Sequence, residues 1–102
     1  MLVVLGVITV QPDAIAGVKD AICNMETETL KEPGCDSYAF SVSLSDPGVI
    51  HIAERWQSMD DLSAHFQTPH MAAFNAALGP VEILGMDVKV YDIAGELPLP
   101  TL

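Results

Sequence analysis

The chain has 102 residues, half of them hydrophobic, which suits one domain with a core of its own and leaves no room for a second. Fourteen acidic side chains against four basic ones give a formal net charge of -10, which repels nucleic-acid phosphates and anionic lipid surfaces alike. Nucleic acid and membrane are thus excluded as partners, and a strongly anionic substrate is disfavoured unless Lys19, Lys31, Arg55 and Lys89 gather at one site.

The uncharged run over residues 2 to 11, rich in Val, Leu and Ile, predicts a central strand covered on both faces. It lacks the positive flank of a secretory leader and is far short of the ~20 residues of a membrane span, so a cytoplasmic protein is expected. From Pro12 or Asp13 to about Lys31, Ile15, Val18, Ile22 and Met25 recur at helical spacing, and Glu32-Pro33-Gly34 ends that helix. Cys23 and Cys35 form no CxxC pair and no four-ligand group, which reads as two reduced thiols.

"CDSYAFSVSL" and "GVIHIAERW" predict two strands joined by "SDPG", a turn in which Pro presets one dihedral and Gly supplies the permissive one. Tyr38, Phe40, Val42 and Leu44 alternate with small polar residues, so one face of the first strand is apolar. A second helix follows, started by Ser58 with Asp61 three residues on, and Met59, Leu62 and Phe66 form its inward stripe. Thr68-Pro69 restarts the helix, with Met71, Phe74 and Leu78 inward, and Gly79-Pro80 ends it. Residues 81 to 93 are the last strand, with Leu84, Met86, Val88 and Val90 on one face, and residues 95 to 102, "GELPLPTL", form a tail without regular structure beyond the 1 to 94 domain.

The order β-α-β-β-α-β is the split βαβ or ferredoxin-like α+β arrangement, a four-stranded antiparallel sheet with both helices on one side. The uncovered face of a sheet whose first strand is apolar on both sides calls for a second copy, so a homodimer is expected.

Within the third strand Glu54 shares an apolar face with Ile50, Ile52 and Trp56, where a carboxylate either finds a partner or has its pKa raised. The expected partner is His65, on the flank of the second helix's inner stripe. Such a bond fits two roles: it orients an imidazole as a general base, or it only ties helix to sheet. His70 sits at the helix interruption, either in the site or wet, and His51 faces the other side of the sheet, towards solvent or an interface. His65 and His70 are five apart with no further ligand near them in the chain, so no metal is expected. No Gly-rich nucleotide motif occurs.

"LKEPGCDSYAF" followed by "IAERWQSMDDLSAHFQTPHMAAFNAAL" resembles the antibiotic biosynthesis monooxygenase (ABM) domain, most closely its quinol monooxygenase branch. The resemblance, spread over residues 1 to 92, implies a dimeric α+β barrel that oxidises electron-rich aromatics with O2, without metal or flavin. It implies that His65, oriented by Glu54, takes a phenolic proton. Trp56 and Phe74 would wall the substrate with Phe66 and Tyr38 nearby, and His70 and Asn75 would donate to the oxyanion. Where polyketide-oxidising members carry an Asn and a Tyr around the motif Trp, this chain has Ile52 and Leu62, and it lacks the Asn and Trp pattern of the haem-degrading relatives. An autoinducer-2-type isomerase and a non-catalytic small-molecule-binding dimer are the alternative readings.

Overall fold

A computed structural model, describing residues 1–101, resolves the apolar alternation into four eight-residue strands, β1 (Leu2–Thr9), β2 (Cys35–Val42), β3 (Val49–Trp56) and β4 (Gly85–Asp92). They pair antiparallel in the order β2-β3-β1-β4, which puts the uncharged first strand near the middle. A 3-10 turn at Pro12–Ala14 leads into α1 (Ile15–Thr29), and α2 (Met59–His65) and α3 (Pro69–Leu78) fill the second connection. This is the ferredoxin-like α+β fold, with the second helix broken at Thr68 as its sequence predicts.

Register carries the two faces across the sheet. Leu2, Val4 and Ile8 stand opposite Trp56, Glu54 and Ile50 of β3, and Tyr38 of β2 stands opposite Glu54. These side chains pack under the helices. Met25 from α1, Leu62 from α2, and Met71 and Phe74 from α3 close one core cluster over Leu2, Val4, Tyr38 and Trp56. A second cluster holds Ile8, Val10, Ile50 and Ile52 at the other end. The opposite face carries Leu5, His51, Ala53 and Arg55, all exposed, and no helix covers it.

Four local expectations change. Of the predicted α2 stripe only Leu62 is buried; Met59 and Phe66 are 53% and 59% exposed, and the side chain beside Leu62 on the inner face is His65, at 0%. The helix is too short for a wide stripe, and Leu62 and His65, three apart, use its one inward line. Leu44 lies beyond the end of β2 and is fully exposed, because pairing with β3 stops at Val42 and Val49 answers Ser43 across the turn. The last strand begins only at Gly85, and Val81 to Leu84 form its approach, with Leu84 N–H donating to the Thr9 carbonyl. Gly48 needs no permissive φ: among the described residues Gly34 alone is positive, and a Cβ on Gly48 would sit 2.4 Å from the Val10 carbonyl oxygen. Close approach of backbone, not turn geometry, demands the glycine there.

Beyond β4 the chain from Ile93 to Thr101 has no regular structure, and Leu97 and Leu99 are exposed; residue 102, the end of the expected tail, lies outside the described residues.

Candidate active site

Three turns bring distant residues to one place. At the end of α1 the Glu32 amide donates to the Thr29 carbonyl, and Gly34 turns the chain with φ of 98°. A Cβ there would lie 2.2 Å from Cγ of Asp61, while the Gln57 amide donates to the Gly34 carbonyl at 2.8 Å. The Glu32–Gly34 turn is therefore pressed onto the head of α2. Ser58 caps that head by accepting from the Asp61 amide and donates its hydroxyl proton to Asp61 Oδ2. At the other end of α2, Thr68 donates its hydroxyl to the His65 carbonyl and accepts from the Met71 amide, so the chain restarts as α3 with Pro69 in its first turn. That reversal brings the His70 ring to 5.9 Å from the His65 ring, centre to centre.

Both imidazoles converge on one oxygen. Oε2 of Glu32 lies 2.6 Å from His65 Nδ1 and 2.8 Å from His70 Nε2. A carboxylate oxygen only accepts, so each ring donates through that nitrogen, and a neutral His65 ring keeps its lone pair on Nε2. His65 Nε2 is buried and has no hydrogen-bond partner. Such an atom costs a fold about 1–3 kcal/mol. Around the ring stand Trp56 at 4.9 Å, Tyr38 at 5.4 Å and Phe66 at 5.6 Å between centroids. The product is an oriented, desolvated imidazole in an aromatic cage.

The expected Glu54 to His65 bond is not made. Glu54 instead accepts from the Trp56 indole N–H at 2.8 Å, from two residues along the same strand face. Burial pushes the Glu54 carboxyl above the ordinary range; the Trp56 bond pulls it partly back, and the charge of Glu32 adds to the rise. Burial, and then the charge of Glu54, raises the Tyr38 phenol well above its usual range, so it stays a neutral ring beside His65. The Cys35 thiol is pushed up to about 11, first by burial and then by Glu32, Glu54 and Asp36, which keeps it protonated and unreactive.

The structure brings together His65, His70, Trp56 and Tyr38 from among the sequence-predicted residues, with Glu54 behind Trp56. Phe74 is buried in the same core but packs against Phe40 at 5.4 Å. Phe66 flanks His65 with its outer surface in solvent, Asn75 is exposed on α3, and His70 directs Nε2 at Glu32 rather than at an oxyanion position. Glu32 was missed. Its signal was the "EPG" string itself: a glutamate fixed at a helix end by a turn that only glycine completes.

A cleft of about 120 Å³, lined by Glu32, Pro33, Trp56, Asp61 and Ala64, opens beside Glu32 and Trp56. A larger depression of about 410 Å³ lies on the open sheet face among Leu5, His51, Lys89 and Tyr91. Glu32, His65 and His70 are also the one group among the described residues whose ligand atoms converge, all within 4.8 Å, in a way that suits a metal ion. The sequence offered no third ligand because Glu32 lies 33 positions from His65.

The chain is similar to known proteins in sequence and in fold. The profile described as "Antibiotic biosynthesis monooxygenase" matches residues 1–77. "Probable quinol monooxygenase YgiN" of Escherichia coli K12 is 33% identical over 81 residues, which cover 72% of this chain and 77% of that protein. Rv0793 of Mycobacterium tuberculosis is 33% identical over 84 residues, covering 82% of this chain and 80% of that one. Its solved structure superposes with a TM-score of 0.82, at 27% identity over 95% of this chain and 98% of its own. A Deinococcus radiodurans structure reaches 0.88 at 21% identity, over 99% and 100% of the two chains, a likeness of fold alone.

Proposed function

The chain belongs to the antibiotic biosynthesis monooxygenase family, and from that premise we propose that it oxidises an electron-rich aromatic, a quinol or phenol, with O2 and without metal or flavin. The carrying observation is the unpartnered Nε2 of a fully buried His65 whose Nδ1 is held by Glu32. Nε2 takes the phenolic proton. The carboxylate of Glu32 fixes the tautomer and faces the imidazolium that forms, and His70 holds the same Glu32 oxygen in place. Trp56, Tyr38 and Phe66 supply the apolar surroundings in which the deprotonated substrate becomes a strong reductant. For a hydroquinone the balance closes unaided: the substrate gains one oxygen atom and loses two hydrogens to give a hydroxyquinone, and the second oxygen atom leaves as water. All four electrons that reduce O2 come from the substrate.

The protein acts as a homodimer in this reading, two open sheet faces meeting to form a barrel. The exposed Leu5 and Tyr91 on that face support it. The free thiols of Cys23 and Cys35 suit the reducing cytoplasm, and no helix among the described residues is long and apolar enough to cross a membrane.

Oxygen uptake over a panel of reduced naphthoquinols and phenols tests the proposal, with the wild type and His65→Ala compared. The wild type should exceed the buffer rate, and removal of the base should cost ~10²- to 10⁴-fold. Wild-type uptake equal to buffer across the panel, or an unimpaired His65→Ala, would sink it.

A further inference from the structure

We propose that Glu32, His65 and His70 form a binding site for one divalent transition-metal ion, Zn2+ or Co2+, and that filling it switches the enzyme off. The inhibitory half rests on the function proposed above; the binding half does not.

The donor set is two imidazole nitrogens and one carboxylate oxygen, which suits such ions, and its three atoms already lie within 4.8 Å of one another. Two of the three separations, 2.6 and 2.8 Å, run from a ring nitrogen to the same oxygen. The imidazole protons thus occupy the space an ion would take. Ligands at ~2.0–2.1 Å from a tetrahedral ion stand about 3.3 Å apart, so these two contacts open by less than about 1 Å while the two ring nitrogens, within 4.8 Å of each other, draw together by up to about 1.5 Å. The side chains of Glu32 and His70 are each 13% exposed, and the cleft past Pro33 and Asp61 reaches Glu32. One carboxylate in the set, Asp61 at the entrance and a net charge of -10 all favour a dication. With three protein ligands, the fourth position is left to water.

Filling the site rearranges protons without a net release. His65 gives up its Nδ1 proton to make the metal bond and takes one from solvent on Nε2; His70 gives up its Nε2 proton and takes one on Nδ1. Both rings stay neutral. The lone pair at His65 Nε2 is thereby replaced by an N–H, and the atom that would accept the substrate proton no longer can. Metal and substrate proton compete for opposite nitrogens of one ring.

The test titrates CoCl2 alone into chelator-treated full-length protein. One equivalent should bind with the strong visible absorption of four-coordinate Co2+, and Glu32→Gln and His70→Gln, each checked for folding by thermal melting, should weaken binding by at least roughly 10- to 100-fold. Should either variant fail to fold, 15N imidazole spectra of the wild type with Zn2+ give the same answer: the His65 Nδ1 and His70 Nε2 resonances shift as metal ligands. Absence of stoichiometric binding, or binding that leaves both those nitrogens and both variants unchanged, overturns the site. With ZnCl2 in oxygen-uptake assays, turnover should fall in step with occupancy and return on chelation. Unchanged or faster turnover at full occupancy, or no quinol turnover to inhibit, overturns the switch while the absorption titration still stands for the site.

Discussion

At the scale of single residues, His65 and Glu54 are two buried polar groups held by different neighbours. His65 is fully buried with one nitrogen on Glu32 and the other bare, while Glu54, 8% exposed, is satisfied by Trp56. The sequence placed Glu54 correctly on the inner face of β3 but could not show that Trp56, on the same face two residues on, would turn its indole N–H back to it. With Glu54 so occupied, its carboxyl is raised by burial, which is a statement about stability. A folded-state pKa above the unfolded one adds stability below the unfolded value and loses it as the pH climbs through the folded one. Glu54→Gln keeps an acceptor for Trp56 and cannot ionise. It should therefore melt higher than the wild type near neutral pH, and the gap should close towards about pH 4. Thermal melts of both proteins across that range check this, and an equal gap at every pH would contradict it.

At the scale of elements, the break between α2 and α3 and the turn after α1 matter more than any helix. The first was legible: Thr68 as a cap and Pro69 behind it state a restart in the chain's own local chemistry. The second was legible only in part, because "EPG" announces a helix end but not what the end is pressed against. Contact between Gly34 and Asp61 joins residues 27 apart, and no local spacing encodes it. For the same reason the apolar alternation gave β3 face by face, whereas the inward stripe of α2 went wrong: a histidine lies on the inner line, where apolar periodicity does not count it. Gly34→Ala meets both the positive φ and the Asp61 side chain, so it should cost ~1–3 kcal/mol and pull Glu32 off His65, lowering turnover as well as the melting temperature. Gly17→Ala is the contrast. It lies in α1 with open space where its Cβ would go, and should stabilise by ~0.5–1 kcal/mol with turnover unchanged. Melting and kinetics on the pair separate the two cases, and a Gly34→Ala as stable and active as Gly17→Ala would refute the role given to the turn.

At the scale of the whole molecule, the sheet order puts the candidate site residues on the helix side and leaves the other face of β1 and β3 open, with Leu5 52% exposed between Ala53 and Lys89. A face of this kind calls for a partner of the same kind, and Leu5→Glu should shift the protein from dimer to monomer in light scattering; a wild type that is already monomeric would contradict the barrel. The chemistry, by contrast, hangs on which carboxylate serves His65. Oxygen uptake with a reduced naphthoquinol, measured side by side for Glu32→Gln and Glu54→Gln, decides it. Glu32→Gln should fall towards the His65→Ala rate while Glu54→Gln stays close to the wild type; a collapse in Glu54→Gln with Glu32→Gln untouched would contradict the role given to Glu32.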